Sequence, residues 1–289
     1  MSASDLQAWG AWAGAHPVAV WSTGLLLVLA ATWAVRLTVR QAAPRCAPWA
    51  ARLPRPGGPA ALATTMALSA LLLLGISHAL ALLAEEWAGT ATGWAVLDQS
   101  LADTLRATAT VGTLTFFARL THAGDTLTLA VLAAGMLALL WWHGHRMLAT
   151  GWAVALAGNG LLTRAFKHSF ERVRPVHTHE VAVADGFSFP SGHSSSSMVA
   201  YGMLAYIAWR LLPARWHLPA LLAAAGTIFT VGFSRVVLQV HFASDVLAGW
   251  LTGGAWLACC LLVMRGASHW RRCRSADADG ASASSGSGS

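Results

Sequence analysis

Charge is what this sequence has least of. Asp, Glu, Lys and Arg make up 11% of its 289 residues, where a soluble domain carries about a quarter. So few charges do not cover the surface of a soluble chain of this size, which excludes an ordinary cytosolic enzyme. An apolar content of 56% excludes a disordered chain as well. Cysteine is scarce, at four. Cys259 and Cys260 are adjacent in an apolar run, and Cys46 and Cys273 sit in Arg-rich segments. No metal-ligand spacing and no disulfide scaffold arises from that pattern. Lysine is almost missing, because Lys167 is the only one. What is abundant is apolar sequence and tryptophan. Fifteen Trp suit a protein with indoles at the bilayer interface. An integral membrane protein is the class left. The net charge of +7 comes from Arg clusters between apolar runs, which reads as anchoring at the cytoplasmic face, with no nucleic acid as partner.

A spanning helix needs roughly 17–25 mainly apolar residues. Seven stretches qualify: Val18–Val35, Leu62–Ala84, Thr126–Trp142, Met147–Phe166, Ser194–Leu212, Leu218–Ser234 and Asp245–Met264. Asn159 and Arg164 interrupt the fourth, and the sixth is short. Arg36, Arg40, Arg45, Arg52 and Arg55 follow the first run, Arg146 follows the third, Arg210 and Arg215 the fifth, and Arg265, Arg271, Arg272 and Arg274 the seventh. With seven crossings these regions share one face, which the positive-inside rule makes cytoplasmic. Segment 85–125, with Glu85, Glu86, Asp98, Asp103 and Asp125 against Arg106 and Arg119, falls on the opposite face. Val18–Val35 has no basic leader and carries its positive charges after the run, so it reads as an anchor with its N-terminus outside, not as a cleaved signal. Trp94–Leu105 has the spacing of an amphipathic helix at the outer interface or capping the bundle. The expected organisation is an N-terminal transmembrane helix with an Arg/Pro-rich extended loop over 1–59, a six-helix core over 60–266, and a flexible cytoplasmic tail over 267–289.

Polar residues gather in three places: Lys167 to Pro175, Pro190 to His193, and Ser234 to Asp245. The first two are joined by an outer loop, and two crossings separate the second from the third. All three therefore reach the outer ends of neighbouring helices. Together they would bring Lys167, Arg174 and Arg235 to one place. The planar guanidinium fork suits a tetrahedral oxyanion. Ser191 adds a hydroxyl, Gly192 allows close backbone approach, and the helix that follows presents its N-terminus, which favours anions. The ensemble reads as a phosphate cradle. It has no carboxylate cluster, so no metal and no cofactor is expected.

His241 and Asp245 are four residues apart and would share a helical face. An Asp bonded to one imidazole nitrogen holds the tautomer and leaves the other free to attack. His241 is then the candidate nucleophile, forming a phosphohistidine. His193 is the candidate acid that protonates the leaving oxygen and later activates water. The cations would stabilise charge on the equatorial oxygens.

The ordered pattern Lys-x6-Arg-Pro, Pro-Ser-Gly-His and Ser-Arg-x5-His-x3-Asp resembles the signature of the type-2 phosphatidic acid phosphatase superfamily of lipid phosphate phosphatases. Lys167, Arg174, Pro175, Pro190, Ser191, Gly192, His193, Ser234, Arg235, His241 and Asp245 fill its positions. The resemblance covers roughly residues 60–264. It implies an all-α, integral membrane helical bundle of six helices, here preceded by one extra transmembrane helix. It also implies metal-independent release of phosphate from a lipid phosphate or pyrophosphate, of the undecaprenyl pyrophosphate or phosphatidylglycerophosphate type. The small apolar residues and Arg-rich inner loops suggest a bacterial inner membrane with the site facing the periplasm.

Single residues outside these motifs carry plainer readings. His177 and His179 read as loop residues near the headgroup entrance. His168, Glu171 and Arg172 either tune the site or face water. Arg164, about one turn before Lys167, reads as a headgroup contact, His78 as a helix-packing residue, and Ser194–Ser197 as the solvated or packed start of a helix. Two rivals stand beside the phosphatase: a vanadate-holding haloperoxidase-like oxidase, whose relatives are soluble, and a non-catalytic lipid-binding or transport protein. Seven crossings speak against the first, and an intact His–Asp pair with a second His against the other.

Overall fold

A computed structural model describes residues 2–52, 60, 63–71, 75–76, 78–79, 93–176, 179–182 and 185–285. Arg55, Glu85, Glu86, His177 and much of Leu62–Ala84 lie outside the described residues. Among the described residues the chain is helical, with no strand: α1 Ala3–Ala15, α2 Pro17–Arg52, α3 Gly93–Thr108, α4 Val111–Thr121, α5 Thr126–Trp142, α6 Arg146–Phe170, α7 Gly192–Leu211, α8 His217–Val237 and α9 Ala243–Ser285.

Among the described residues four stretches are long and apolar enough to cross a membrane by length and composition: Pro17–Pro44, Val111–Trp142, Ala214–Val237 and Ala243–Ser268. They contain four of the seven apolar runs. The runs Met147–Phe166 and Ser194–Leu212 lie in α6 and α7, which at 25 and 20 residues are about 37 and 30 Å long, enough to cross. Their hydropathy is lowered by polar side chains turned inward. Asn159, Thr163, Ser194, Ser195 and Ser197 are all buried. Ser195 donates to Asn159 Oδ1 at 2.6 Å and the Asn159 amide reaches Ser196 Oγ at 3.3 Å. The chain is a multi-pass membrane protein.

Several expectations change. Residues 36–52 continue α2 as helix, where Arg and Pro content predicted an extended loop, and α9 runs to Ser285 through the segment expected to be a flexible tail. In both cases an already formed helix extends, and propagation lacks the cost of nucleation. Two helices were not anticipated. α1 opens with a capping box, in which Asp5 N donates to Ser2 Oγ at 3.2 Å and Ser2 N donates to Asp5 Oδ2 at 2.8 Å. α4 opens on Thr110, whose hydroxyl accepts from Thr113 N. The amphipathic helix over 94–105 is present as α3. It packs on α1, with Ser100 Oγ donating to Gln7 O at 2.7 Å, and it buries Leu105 and Asp98. Trp9, Trp12 and Trp94 are exposed on this pair, as an interfacial layer requires. His78 is exposed, contrary to the packing role expected of it.

The apolar core includes two large clusters. One cluster, including Leu129, Leu140, Trp152, Met203, Ile207 and Met264, fills the space between α5, α6, α7 and α9. The Trp152 indole satisfies its N–H on Ala133 O at 3.0 Å. A second cluster, with Leu105, Leu114, Phe117, Val236, Val237, Leu238, Val240 and Val246, joins α3 and α4 to the α8–α9 turn. At the opposite end Arg36 lies 4.5 Å from the Trp209 ring, and Arg146 and Arg210 lie over Trp141 and Tyr206 at 5.6 and 5.7 Å. These cations mark one membrane face.

α7 and α9 approach through glycine. A Cβ on Gly249 would stand 2.6 Å from Ser191 O, and one on Gly253 would stand 2.7 Å from Ser195 O. This small-x3-small spacing lets two backbones touch within a membrane. Gly249→Val is expected to cost about 1–3 kcal/mol as overpacking. It should lower the thermal midpoint of detergent-purified protein; an unchanged midpoint would refute the close contact.

Candidate active site

The three polar segments meet at one end of the bundle. Lys167 ends α6, Ser191 caps α7, Arg235 ends α8, and His241 lies in the short turn between α8 and α9. Ser191 N donates to Asp245 O at 3.0 Å, so the second and third motifs are joined through backbone. Arg174 Nη1 lies 2.6 Å from Val240 O and 3.2 Å from His241 Nε2, which joins the first motif to the third. Arg174 also donates to the carbonyls of Asp185 and Gly186, both at 2.9 Å, and of Phe187 at 3.2 Å. Lys167 Nζ donates to Phe187 O at 2.5 Å. Arg235 is buried, with Nη1 3.1 Å from Thr121 Oγ1 and Nε without a hydrogen-bond partner.

The His241–Asp245 pair differs from the expected helical pair. His241 precedes α9, and Asp245 lies in the first turn of that helix. The carboxylate Oδ2 accepts from Phe242 N at 2.9 Å, as an acidic group near a helix N-terminus does. His241 Nδ1 is 3.6 Å from Oδ2 and makes no hydrogen bond. That distance is an ionic contact, longer than a hydrogen bond. The ring is 3% exposed and the carboxylate 0%. Burial holds the His241 imidazole down at about pH 4; Asp245 opposes this, while the charges of Arg174 and Arg235 add to it. The ring is therefore neutral at pH 7, with Nε2 directed at the Arg174 guanidinium.

Sequence reasoning left Arg172 undecided and gave Asp98, Ser188 and Asp125 no role. Arg172 Nη1 donates to Asp245 Oδ1 at 2.6 Å and to Ser244 Oγ at 2.7 Å, and Nη2 reaches Asp98 Oδ2 at 3.2 Å. The Ser188 hydroxyl also donates to Asp245 Oδ2. Asp98, on α3, accepts from Ser244 through both its N–H and its hydroxyl. A buried carboxylate needs such partners, and here they come from a distant helix. His193 has its own carboxylate: Nε2 lies 2.9 Å from Asp125 Oδ1, while Oδ2 of the same group lies 2.6 Å from His122 Nδ1. The spacing Arg-x-Arg-Pro was the one available signal for Arg172. Asp98, within the amphipathic helix, and Asp125, just ahead of an apolar run, carried none.

Two further expectations are refined. The Ser191 hydroxyl serves the helix cap, accepting from Ser194 N at 3.4 Å and Ser194 Oγ at 2.9 Å. Gly192 is not demanded by space, since a Cβ there would meet only Thr163 Cγ2 at 3.8 Å; its N–H belongs to the free N-terminal donors of α7. Among the described residues no three His, Cys, Asp or Glu side chains are grouped to hold a metal ion.

A groove of about 530 Å³ runs from the site between α5, α6 and α7. Lys167, Arg164, Gly192 and His193 line its polar end, and Leu129, Ala133, Leu156 and Val199 line its apolar length. A second groove of about 550 Å³ lies at the far end beside His143 and His145, away from these cations. Burial lowers the Lys167 ammonium to about pH 8, with Arg174 adding to the effect and Asp245 opposing it.

Fold and site define a helical membrane protein with Lys, Arg and His side chains gathered at one end of the bundle. Residues 148–268 match the PAP2 superfamily. Over 114 residues it is 39% identical to phosphatidylglycerophosphatase B of Bacillus subtilis, which covers 39% of this chain and 53% of that protein. Over 109 residues it is 35% identical to lipid A 1-phosphatase of Rhizobium johnstonii, covering 35% of this chain and 41% of that protein. The crystal structure of a transmembrane PAP2 type phosphatidylglycerolphosphate phosphatase from Bacillus subtilis superposes with a TM-score of 0.53 at 27% identity, covering 65% of this chain and 93% of that one. The chain spans about half the length or less of the curated relatives it matches.

Arg172→Gln is expected to leave the buried Asp245 and Asp98 without their cation. Breaking a buried pair costs about 3–5 kcal/mol, so the thermal midpoint should fall by many degrees. A midpoint within a degree of the parent protein would show that the network does not hold the site.

Proposed function

We propose that this protein is a lipid phosphate phosphatase working through a phosphohistidine on His241, without a metal ion. One observation carries the reading: Nε2 of a buried, neutral imidazole lies 3.2 Å from the Arg174 guanidinium, with Asp245 on the other side of the ring. A phosphoryl group held by Arg174, Lys167 and Arg235 would present phosphorus to that nitrogen. In the first step His241 Nε2 attacks phosphorus and His193 protonates the departing oxygen. In the second, His193 takes a proton from water as the water oxygen attacks the phosphohistidine. Asp245 stabilises the positive charge that His241 develops. Gly192 and Ser191 place the N-terminus of α7 toward the phosphoryl oxygens.

The substrate is a lipid phosphate or pyrophosphate whose tail lies in the groove between α5, α6 and α7 and whose phosphate reaches Lys167 and His193. Undecaprenyl pyrophosphate and phosphatidylglycerophosphate are the candidate types, and the named activities of the relatives support this class. The protein sits in a bacterial inner membrane with the site on the periplasmic face, opposite the Arg-rich ends.

His241→Ala is expected to abolish phosphate release from both candidate lipids while the protein still inserts. EDTA should leave the rate unchanged, and vanadate should inhibit as a mimic of the pentavalent transition state. Turnover by His241→Ala at the parent rate would overturn the mechanism, and so would EDTA inhibition reversed by magnesium. A pH series tests the cradle. Lys167 is a cation below about pH 8 and loses its charge above it, so vanadate inhibition should weaken as pH rises past 8. Lys167→Arg should move that loss to higher pH; an unmoved profile would remove Lys167 from the anion site.

A further inference from the structure

We propose that Asp125 is a positioning residue for His193. Its carboxylate fixes the ring through Nε2 and supports a proton on it, so that Nδ1 is the nitrogen offered to the leaving group; His122 holds the other oxygen from the solvent side. This rests on the phosphatase reading for its role in turnover, but the pairing itself rests on geometry.

Asp125 stands between the short turn His122–Gly124 and α5. It occupies the N-cap position of α5, yet its side chain makes no capping hydrogen bond. Both oxygens are spent on imidazoles, Oδ1 on His193 Nε2 at 2.9 Å and Oδ2 on His122 Nδ1 at 2.6 Å. A carboxylate that bypasses the usual N-cap bond to bridge two histidines is placed for them and not for the helix. Gly124 permits the approach: a Cβ there would stand 3.2 Å from His193 Cδ2 and 2.4 Å from Val231 Cγ1.

The surroundings of His193 explain the need. Arg235 from α8 and Arg174 from the α6–α7 connection act on the ring, and Lys167 and Arg164 from α6 share its groove. His193 lies ahead of the span that begins at Ser194. Burial first, and then Arg235, hold the imidazole down at about pH 4, with Asp125 opposing both. Every other charged neighbour named here disfavours imidazolium, so the Asp125 carboxylate is the group that makes the acid form accessible. A bound phosphate dianion adds to that support. In the first step the Nδ1 proton passes to the leaving oxygen as the P–O bond breaks and the His241 Nε2–P bond forms. In the second, Nδ1 takes a proton from the attacking water, and the P–N electron pair returns to His241. Asp125 stays ionised throughout, and the protons balance within the two steps.

Asp125→Asn and Asp125→Glu in the full chain test this. The amide keeps the size but loses the charge, and no helix cap is removed. With phosphatidylglycerophosphate in detergent, Asp125→Asn should lower kcat at least about tenfold with a much smaller change in KM. The high-pH limb of kcat/KM should move to lower pH, because the acid form of His193 is lost earlier. Asp125→Glu should restore part of both. Histidine NMR titration of the same proteins, without substrate, reads the ring directly. Its pKa should fall in Asp125→Asn and rise in His122→Asn, where the carboxylate serves His193 alone. An unmoved His193 pKa, or a kcat loss with both limbs in place, would overturn the proposal. A pKa shift in a protein that releases no phosphate from any lipid would instead uphold the pairing and overturn the phosphatase reading.

Discussion

A carboxylate sealed from water at the start of α9 holds the site end of the bundle together. Asp245 is fully buried, and an ionised carboxylate at such depth is tolerated only when its oxygens are paired. The partners come from separate pieces of chain. Arg172 and Ser188 come from the connection between α6 and α7, and Phe242 N from the α8–α9 turn. The backbone carbonyl of the same residue accepts from Ser191 N at the head of α7. One residue, through its carboxylate and its backbone carbonyl, therefore joins all three motifs, and Arg172 passes the constraint on to Asp98 of α3. His241 itself has no hydrogen bond at Nδ1. Its ring is placed by packing and by the turn it sits in, with the carboxylate acting on it as a charge 3.6 Å away.

The charge balance around that anchor is uneven in a useful way. Arg172 pairs with both Asp245 and Asp98, and Lys167, Arg174 and Arg235 are cations whose partners are mainly carbonyls and a hydroxyl. Burial lowers the charge affinity of Lys167 and Arg174, and the cations disfavour one another. In the proposed reading a dianion entering among them would relieve both effects. Burial, with the same excess adding to it, keeps the two histidines neutral. In the proposed mechanism one histidine is a nucleophile and the other an acid, which needs the reverse, and one imidazole faces a carboxylate at hydrogen-bond distance while the other does not.

The sequence made the cradle legible for a topological reason. Lys167, Arg174, His193, Arg235 and His241 recur at the ends of apolar runs, and counting crossings is enough to put them on one face. Charge placement likewise exposed the Arg-rich end, where Arg36, Arg146 and Arg210 stack on aromatics. Asp98 and Asp125 were illegible because their partners lie far away in the chain: Asp98 meets Arg172 across 74 residues and Asp125 meets His193 across 68. No local spacing encodes a contact of that range. The helical continuation of α2 and α9 was missed for another reason. Composition reports how a segment behaves alone, whereas a segment joined to a finished helix inherits its nucleus. The spacing of His241 and Asp245 suggested a shared helical face, yet the helix begins between them, and Asp245 meets the ring by folding back over the turn.

The groove ties this chemistry to a bilayer. Its polar end carries Lys167 and His193, and its apolar length descends between α5, α6 and α7 past Leu129, Leu156 and Val199. A phosphate on a soluble leaving group would gain nothing from that wall, whereas a lipid tail keeps its apolar contacts there at roughly 0.8 kcal/mol for each buried CH₂. In hydrocarbon that gain disappears, because lipid and groove are equally apolar. Tail length therefore contributes little to binding from the membrane, and recognition falls to the polar end. The buried Asn159, Thr163 and Ser195 are hydrogen-bonded among themselves on the α6–α7 seam. In the proposed reading the groove would position the headgroup by depth, while selection would rest on the cations and imidazoles at its mouth.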